Sequence, residues 1–321
     1  MRYKLKKYLR KVFSAKKLAG IYKFLSNVKT RFYRFKSDED YIIKLVKENT
    51  GVTPNMKKPQ MLFEKILWLK IHYKNPLMTI CSDKYEVRNY VTDKGYKNLL
   101  TNLIGVYDNP EDINFNKLPE KAFLKCTHMS GGNQLYIKGH SNKKQVIKRF
   151  KKLLKENYYY RSREWNYKHI KPRIIIEPFL DMSKYTDYKF FYIDGKVEYF
   201  AVVKDINDSK GMQNKNSKFN LYYPNLEPFK ADVKRERFND KNLVFTPFIK
   251  DMIKVAEDLA KPFKFCRVDF LANEENYLFG EITFYPTGGS MVLRPFEYEY
   301  YYGKKLNLNL ISDEFLDKDV R

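Results

Sequence analysis

KPFKFCRVDFLANEENYLFGEITFYPTGG, residues 261–289, carries the pattern around which the chain is organised. Two runs rich in β-branched and aromatic residues, 266–271 and 277–284, flank the polar Asn273-Glu274-Glu275-Asn276, which is the pattern of a β-hairpin. Side chains two apart on a strand share a face, so Arg267 and Asp269 point together, as do Glu281 and Thr283 on the partner strand. Val268 and Phe270 turn the other way, into a core. Two acids that meet across a hairpin beside an arginine repel unless a cation sits between them, which makes this a candidate Mg²⁺ site. A surface hairpin with solvated charges is the competing reading.

The chain has 321 residues, longer than one typical domain, and its 43% apolar content excludes wholesale disorder. Lys+Arg 62 against Asp+Glu 38 leaves a net charge of +24, which points to a polyanionic partner: a nucleotide, a nucleic acid, an anionic membrane face or an acidic polysaccharide. A compositional bias toward Lys, Tyr, Asn and Ile explains the lysines better than the shortage of acids. Three cysteines without a CxxC, and four histidines without metal-ligand spacing, fit a reduced cytoplasmic setting and argue against a disulfide scaffold or a zinc site. No apolar run approaches the roughly 18 residues of a membrane span, and the N-terminus lacks the hydrophobic run of a secretory signal. Residues 1–36 contain no acid. Leu5, Tyr8, Leu9, Val12 and Phe13 recur there at helical spacing among Lys and Arg. A basic amphipathic helix of this kind is expected either at the anionic inner face of the plasma membrane or solvated on its own domain.

Helices are expected over 38–48 and 60–73, the second stopped at Asn75-Pro76. Between them and the next strand, Asp83, Lys84 and Arg88 read by spacing as a surface ion-pair cluster. AFLKCTHMSGGNQLYIK, 122–138, reads as strand, glycine turn, strand. Glycines let a backbone approach phosphate oxygens and offer N–H donors, and Lys125 at the strand end adds a point charge. Neither a Walker loop nor a protein-kinase signature occurs, and a plain hairpin turn is the alternative. Ser141 is the expected cap of a helix over 143–157. Ile174-Ile175-Ile176 is a buried strand halted by Pro178. Residues 187–204 form a second hairpin around Asp194-Gly195, whose regular register places Asp187, Lys189 and Lys204 on one face. Residues 205–240 read as a long polar loop, and 247–260 as an amphipathic helix. The aromatic, then acidic, tail from Arg294 has no assignment.

In this order the stretches resemble the TupA-like branch of the ATP-grasp superfamily, named for teichuronopeptide biosynthesis. The resemblance is carried by PQMLFEKILWLK (59–70), DKYEVRNYV (83–91), FLKCTHMSGGN (123–133), RIIIEPFL (173–180), DYKFFYIDGKV (187–197), RVDFL (267–271) and FGEITFYPTGG (279–289). It implies an α+β / α/β chain with the ATP-grasp fold, in which two α+β subdomains, 119–180 and 181–305, clamp ATP. Before them come the basic segment 1–37 and an N-terminal region 38–118, and after them a tail, 306–321.

The resemblance also implies roles. Lys125 would hold phosphate oxygens, and Ser130, Gly131, Gly132 and Asn133 would cover the β- and γ-phosphates. Glu177 to Leu180, including Phe179, would form the hinge whose backbone reads adenine. Asp187 would lie near the ribose, and Lys189 and Lys204 would face the phosphates. Asp269 and Glu281 would bind Mg²⁺, and Arg267 would stabilise the acyl phosphate or tetrahedral intermediate. The chain departs from the common Glu-x-Asn at Glu281-Ile282-Thr283, where a hydroxyl, a weaker ligand for a hard cation, replaces an amide oxygen at the second metal position. The implied activity is an ATP- and Mg²⁺-dependent carboxylate–amine ligase of cell-surface polysaccharide biosynthesis, acting on an acidic saccharide or amino acid, with no nucleic-acid partner. Two rivals belong to other classes. A glycosyltransferase of such a pathway would need a nucleotide-sugar site, typically built on a DxD metal motif, and the expectation is that this chain has none. A non-catalytic anionic-polymer binder would explain charge and aromatics but leave the hairpin and glycine loop as coincidences.

Overall fold

The structure is a computed structural model and describes residues 37–204, 214 and 217–317. The basic helix expected within 1–36 lies outside these residues. Four helices come first: α1 (Asp38–Thr50), α2 (Leu62–His72), α3 (Leu77–Ser82) and α4 (Glu86–Asp93). The Ser37 hydroxyl accepts from the Asp40 N–H at the start of α1, and Gly51 closes it with φ +77°. No helix among the described residues is long and apolar enough to cross a membrane.

A four-stranded antiparallel sheet follows. Its strands are β1 (Gly105–Tyr107), β2 (Lys121–Cys126), β3 (Asn133–Ile137) and β4 (Ile174–Pro178), in the order β1-β4-β2-β3. β2 shows how its sequence makes a two-faced strand: Ala122, Leu124 and Cys126 are fully buried, whereas Lys121, Phe123 and Lys125 face a cavity. The buried set packs against Val146 and Phe150 of α5 (Lys143–Leu153). α5 is shorter than expected and is capped by Asn142, whose side chain accepts from Gln145 N–H. Ser141, expected as the cap, instead accepts from the Ile137 N–H at 2.9 Å and closes the turn after β3.

After the short α6 (Tyr159–Ser162) comes a six-stranded antiparallel sheet: β5 (Thr186–Ile193), β6 (Lys196–Lys204), β7 (Lys218–Tyr222), β8 (Pro228–Phe229), β9 (Phe265–Ala272) and β10 (Tyr277–Thr283), in the order β10-β9-β5-β6-β7-β8. α7 (Ile249–Ala260) lays Met252, Val255 and Leu259 into the same core as Phe190, Phe200, Val268 and Phe270. Leu62, Ile66 and Leu69 of α2 join this core, while Phe63 and Leu67 build a smaller one with Ile42 and Val46 of α1. The N-terminal helices are thus one packing unit with the large sheet. The stretch 205–240, expected as a loop, carries β7 and β8 in its described part. Buried Asn220 secures them by donating to Phe238 O and accepting from Phe238 N–H.

The unassigned tail forms α8 (Phe296–Lys305). Its buried Glu299 accepts from the Phe63 N–H at 2.8 Å and the Leu293 N–H at 2.6 Å, tying α8 to α2. Gly303 sits where the two helices touch: a Cβ there would lie 1.9 Å from Gln60 O. Glycine to alanine in a helix normally gains stability. Here the clash is with backbone that cannot swing away, so Gly303→Ala is expected to lose about 3 kcal/mol. Urea unfolding checks this, and a neutral or stabilised variant would refute the close α2–α8 contact.

Candidate active site

A cavity of ≈ 980 Å³ lies between the two sheets. β2 contributes Lys121, Phe123 and Lys125, the segment after β4 contributes Phe179, Leu180 and Asp181, and the large sheet closes it with Leu271, Phe279 and Ile282. Its size and apolar lining with a few charges suit a nucleotide.

At its inner end three side chains converge on the buried Glu177 carboxylate. Lys125 Nζ lies 2.5 Å from Oε2, while Arg88 Nη1 at 3.1 Å and the Thr101 hydroxyl at 2.7 Å both donate to Oε1. Burial works against ionisation of Glu177, but Lys125 with Thr101 and Arg88 outweighs it and holds the carboxyl below its usual value. Lys84, also lining the cavity, donates to Met129 O at 2.5 Å. The expected surface cluster at Asp83, Lys84 and Arg88 is therefore an interior one. Asp83 is 3% exposed and pairs with Arg173 at 3.0 Å.

A second cavity of ≈ 850 Å³ adjoins the first, and Tyr167, Val203 and Glu281 line both. Asp187, Lys189, Arg267 and Thr283 face it. Here the hairpin residues form one ionic cluster. Arg267 grips Asp269 through Nε at 2.6 Å and Nη2 at 2.7 Å, and reaches Thr283 Oγ1 at 3.2 Å and Glu281 Oε1 at 3.4 Å. Lys189 Nζ is 2.7 Å from both Asp269 Oδ2 and Asp187 Oδ2. Burial would raise the Asp269 carboxyl, but Arg267 and then Lys189 hold it below the usual range. Asp187 is different: burial dominates, Lys189 only partly offsets it, and its carboxyl is raised. Lys189 itself is raised, because Asp187 and Asp269 overcome its burial.

Two β-bulges create this geometry. The Asn273–Asn276 turn, closed by Asn273 Oδ1 accepting from Glu275 and Asn276 N–H, begins a register in which Phe279 opposes Phe270. Unbroken alternation would then set Glu281 opposite Val268, in the core. Gly280 is the extra residue, so Glu281 opposes Asp269 and Thr283 opposes Arg267. A Cβ at Gly280 would sit 3.0 Å from Asp269 O, so a side chain there would press on the Asp269 backbone. In the other hairpin Phe191 pairs with Tyr199 and Tyr192 with Val197, leaving Glu198 as the extra residue. This bulge corrects one expectation. Val203 opposes Asp187, so Lys204 turns to the opposite face, 5.0 Å from the Phe238 ring, and lines the first cavity only from the strand end.

The expected residues thus divide. Lys125, Asn133, Glu177, Phe179, Leu180 and Lys204 line the first cavity, and Ser130, Asp187, Lys189, Arg267 and Thr283 the second. Asp269 lies beneath the second, 4% exposed, and Glu281 stands at the junction. Gly131 and Gly132 make the turn between β2 and β3 with φ of +78° and +70°.

With this arrangement established, comparison with known proteins is decisive on one point: a family model described as TupA-like ATPgrasp matches residues 64–307. The chain belongs to the TupA-like ATP-grasp family. Its α+β architecture, with a nucleotide-sized cavity between two antiparallel sheets, is the ATP-grasp fold. Similar solved structures include D-alanine–D-alanine ligase from Bacillus anthracis, at 16% identity over 68% of this chain and 62% of that one, TM-score 0.39. Another is the Helicobacter pylori D-alanine–D-alanine ligase, at 14% identity over 77% and 69%, TM-score 0.41. A third is ATP-grasp ligase PsnB complexed with minimal precursor, at 12% identity over 71% and 58%, TM-score 0.38. The TupA-like chain spans only 62% and 58% of the lengths of the Bacillus ligase and PsnB. No curated protein sequence matches it at a level that marks a relative.

The donor set of this TupA-like ATP-grasp chain suits Mg²⁺ held together with phosphates. No group of three or more His, Cys, Asp or Glu among the described residues is placed to hold a metal alone. Glu281, with a 55% exposed side chain, and Asp269 across the hairpin supply hard carboxylate oxygens, and phosphate oxygens would complete a shell. Thr283 gives its hydroxyl hydrogen to Glu281 Oε1 at 3.0 Å, so it supports that carboxylate directly. Sequence reasoning missed Arg88, Thr101 and Asp181. Arg88 was visible as a charge at helical spacing from Lys84, but nothing local said that α4 faces a cavity.

Proposed function

We propose that the protein is an ATP-dependent carboxylate–amine ligase. The observation that carries this is the junction at Glu281, where a nucleotide-sized cavity lined by cations opens into a second cavity ringed by Arg267, Lys189 and Asp269. A carboxylate oxygen of the acid attacks the γ-phosphorus of ATP, and the bond to the β-phosphate oxygen breaks to release ADP. The amine nitrogen then attacks the acyl carbon, inorganic phosphate departs, and the nitrogen sheds its excess proton. Both reactants are anionic, so Lys125 and Lys84 on one side and Arg267 and Lys189 on the other offset the accumulating charge. When bound, Mg²⁺ supplies further neutralisation of the phosphates, with Glu281 and Asp269 as its protein ligands.

Adenine lies against Phe179 and Leu180. The Leu180 N–H has no acceptor among the described residues, as an amide that reads an adenine edge requires. The ribose acid in this arrangement is Asp181, which lines the nucleotide cavity, in place of Asp187, which faces the other one. Ser130 to Asn133 cover the phosphates. The acid is an acidic sugar or peptide, the amine an amino acid, and the setting cell-surface polysaccharide synthesis at the cytoplasmic membrane face, with residues 1–36 making peripheral contact. The net charge of +24 supports anionic substrates. Contrary to the expectation that no DxD motif is present, one occurs at Asp317-Lys318-Asp319 and another at Asp38-Glu39-Asp40. The latter opens α1, where Asp38 pairs with Arg163 at 3.2 Å, which weakens the glycosyltransferase alternative.

The test is ADP release across a panel of acids and amines, with Glu281→Gln as control. Release that depends on both substrates supports the ligase, and UDP release from a sugar donor without ATP turnover overturns it. Thermal stabilisation by Mg·ATP is a simpler check. Lys125→Ala is expected to lose most of that shift, and an unchanged shift would remove Lys125 from the phosphate site.

A further inference from the structure

The second cavity extends well beyond Glu281, and its outer wall gathers, besides Lys44 on α1, four cations from three remote segments: Arg161 on α6, Lys234 and Arg235 in the loop after β8, and Arg294 before α8. The last two segments are fixed together, with Asp232 N–H donating to Arg294 O at 2.8 Å and Arg294 N–H to Asp232 O at 2.9 Å. Lys234 is held in the left-handed region, φ +56°, by its N–H bond to Asp232 Oδ1 at 2.9 Å. That conformation is uncommon for a residue with a Cβ. Its ammonium reaches Thr50 O at 3.1 Å. The Arg161 guanidinium lies 5.4 Å from the Tyr158 ring centre and that of Arg294 4.2 Å from the Phe296 ring centre.

None of these four has a carboxylate within 4.0 Å among the described residues. The deeper cations behave differently, since Lys189 and Arg267 are each paired with acids. Glu48 is the acid on the outer wall, while Glu164, Asp187 and Glu281 lie toward the reaction end. The wall therefore presents excess positive charge to whatever extends outward from the reacting carboxylate. Three of the four are arginines, whose planar fork suits carboxylate and phosphate oxygens.

We propose that Arg161, Lys234, Arg235 and Arg294 form a specificity subsite for a second anionic group on the acid substrate, remote from the carboxylate that is activated. This rests on the ligase function proposed above and adds that a monoanionic acid is a poor substrate. The anionic group belongs either to a further carboxylate along a chain or to a phosphate on a carrier, and the guanidinium chemistry is common to both.

Isothermal titration at low salt tests it with four probes: trigalacturonate, galacturonate, maltotriose and inorganic pyrophosphate. Trigalacturonate is expected to bind at least about tenfold more tightly than galacturonate, and maltotriose not at all. Arg161→Ala and Arg235→Ala should each weaken trigalacturonate about fivefold and together roughly 20-fold, with the effect fading at high salt. Rim-dependent binding of pyrophosphate, with no preference for trigalacturonate over galacturonate, would identify the group as phosphate. Affinity for both trigalacturonate and pyrophosphate that ignores the rim substitutions would overturn the subsite. Mg·ATP stabilisation must survive in these variants. Its absence from the wild type would instead be a failure of the ligase proposal.

Discussion

Asp269→Asn is expected to reduce ADP-forming turnover by about 10²–10³-fold and to lower stability by roughly 3 kcal/mol. The carboxylate accepts from Arg267 twice and from Lys189 once, and all three side chains are largely buried. An isosteric amide keeps the volume but turns a donor toward two cations. Lys189 would keep only Asp187, and Arg267 only the distant Glu281 oxygen and Thr283. Removing one member of a buried ionic cluster leaves uncompensated charge, which costs more than the pair contributes when intact. The sign of the pH effect follows from the depressed carboxyl. Its stabilisation is complete above the unfolded value, near 3.8, and disappears as pH falls through the lower folded value. Wild type should therefore lose part of its advantage over Asp269→Asn at acid pH. Urea unfolding from pH 7 down to about 2.5, beside an ADP-release assay, measures both effects. Turnover within tenfold of wild type would remove Asp269 from the metal and charge-stabilising machinery.

Much of this site is legible in the residues, because its strands alternate cleanly. Arg267 and Asp269 against Val268 and Phe270, and Lys125 against Leu124 and Cys126, need only the period of two to separate a cavity face from a core face. The glycine turn and the Asp194-Gly195 hairpin are equally local. The two bulges are not. A single extra residue inverts the facing of everything beyond it, and neither Gly280 nor Glu198 signals that inversion by periodicity. At Gly280 the inversion joins Glu281 to Asp269. At Glu198 it takes Lys204 away from Asp187. The Arg88–Glu177 contact joins residues 89 apart, and its partners meet only because α4 and the small sheet share a cavity. α8 was hidden for another reason. Tyr300 and Tyr301 are exposed while Glu299 is buried, so FEYEYYYGKK does not sort into the apolar and polar faces that would mark it as amphipathic.

Glu177→Ala should produce the second large effect, and ligand should partly reverse it. The side chain is 8% exposed and receives Lys125, Arg88 and Thr101. Deleting it strands two cations at the wall of a cavity, with an expected loss of about 3 kcal/mol, or roughly 6 °C in Tm. Thr101→Val, which removes one neutral donor, should cost only about 1 kcal/mol. In wild type, Lys125 is committed to Glu177, so a phosphate must compete with a carboxylate 2.5 Å away. In the variant no such competitor exists, and ATP phosphates become the replacement counter-charge for Lys125 and Arg88. The Mg·ATP thermal shift should then be larger in Glu177→Ala than in wild type, even as turnover drops because Lys125 is no longer positioned. A structural acid predicts this rise, whereas an acid that itself binds nucleotide predicts a reduced shift resembling that of Lys125→Ala. Comparing the shift in wild type, Glu177→Ala and Lys125→Ala under one set of conditions separates the two roles. The pH dependence gives an independent handle: the stabilisation from Glu177 is fully present above its ordinary value of 4.5 and is lost as pH falls through its depressed folded value, so the variant and wild type should converge in acid.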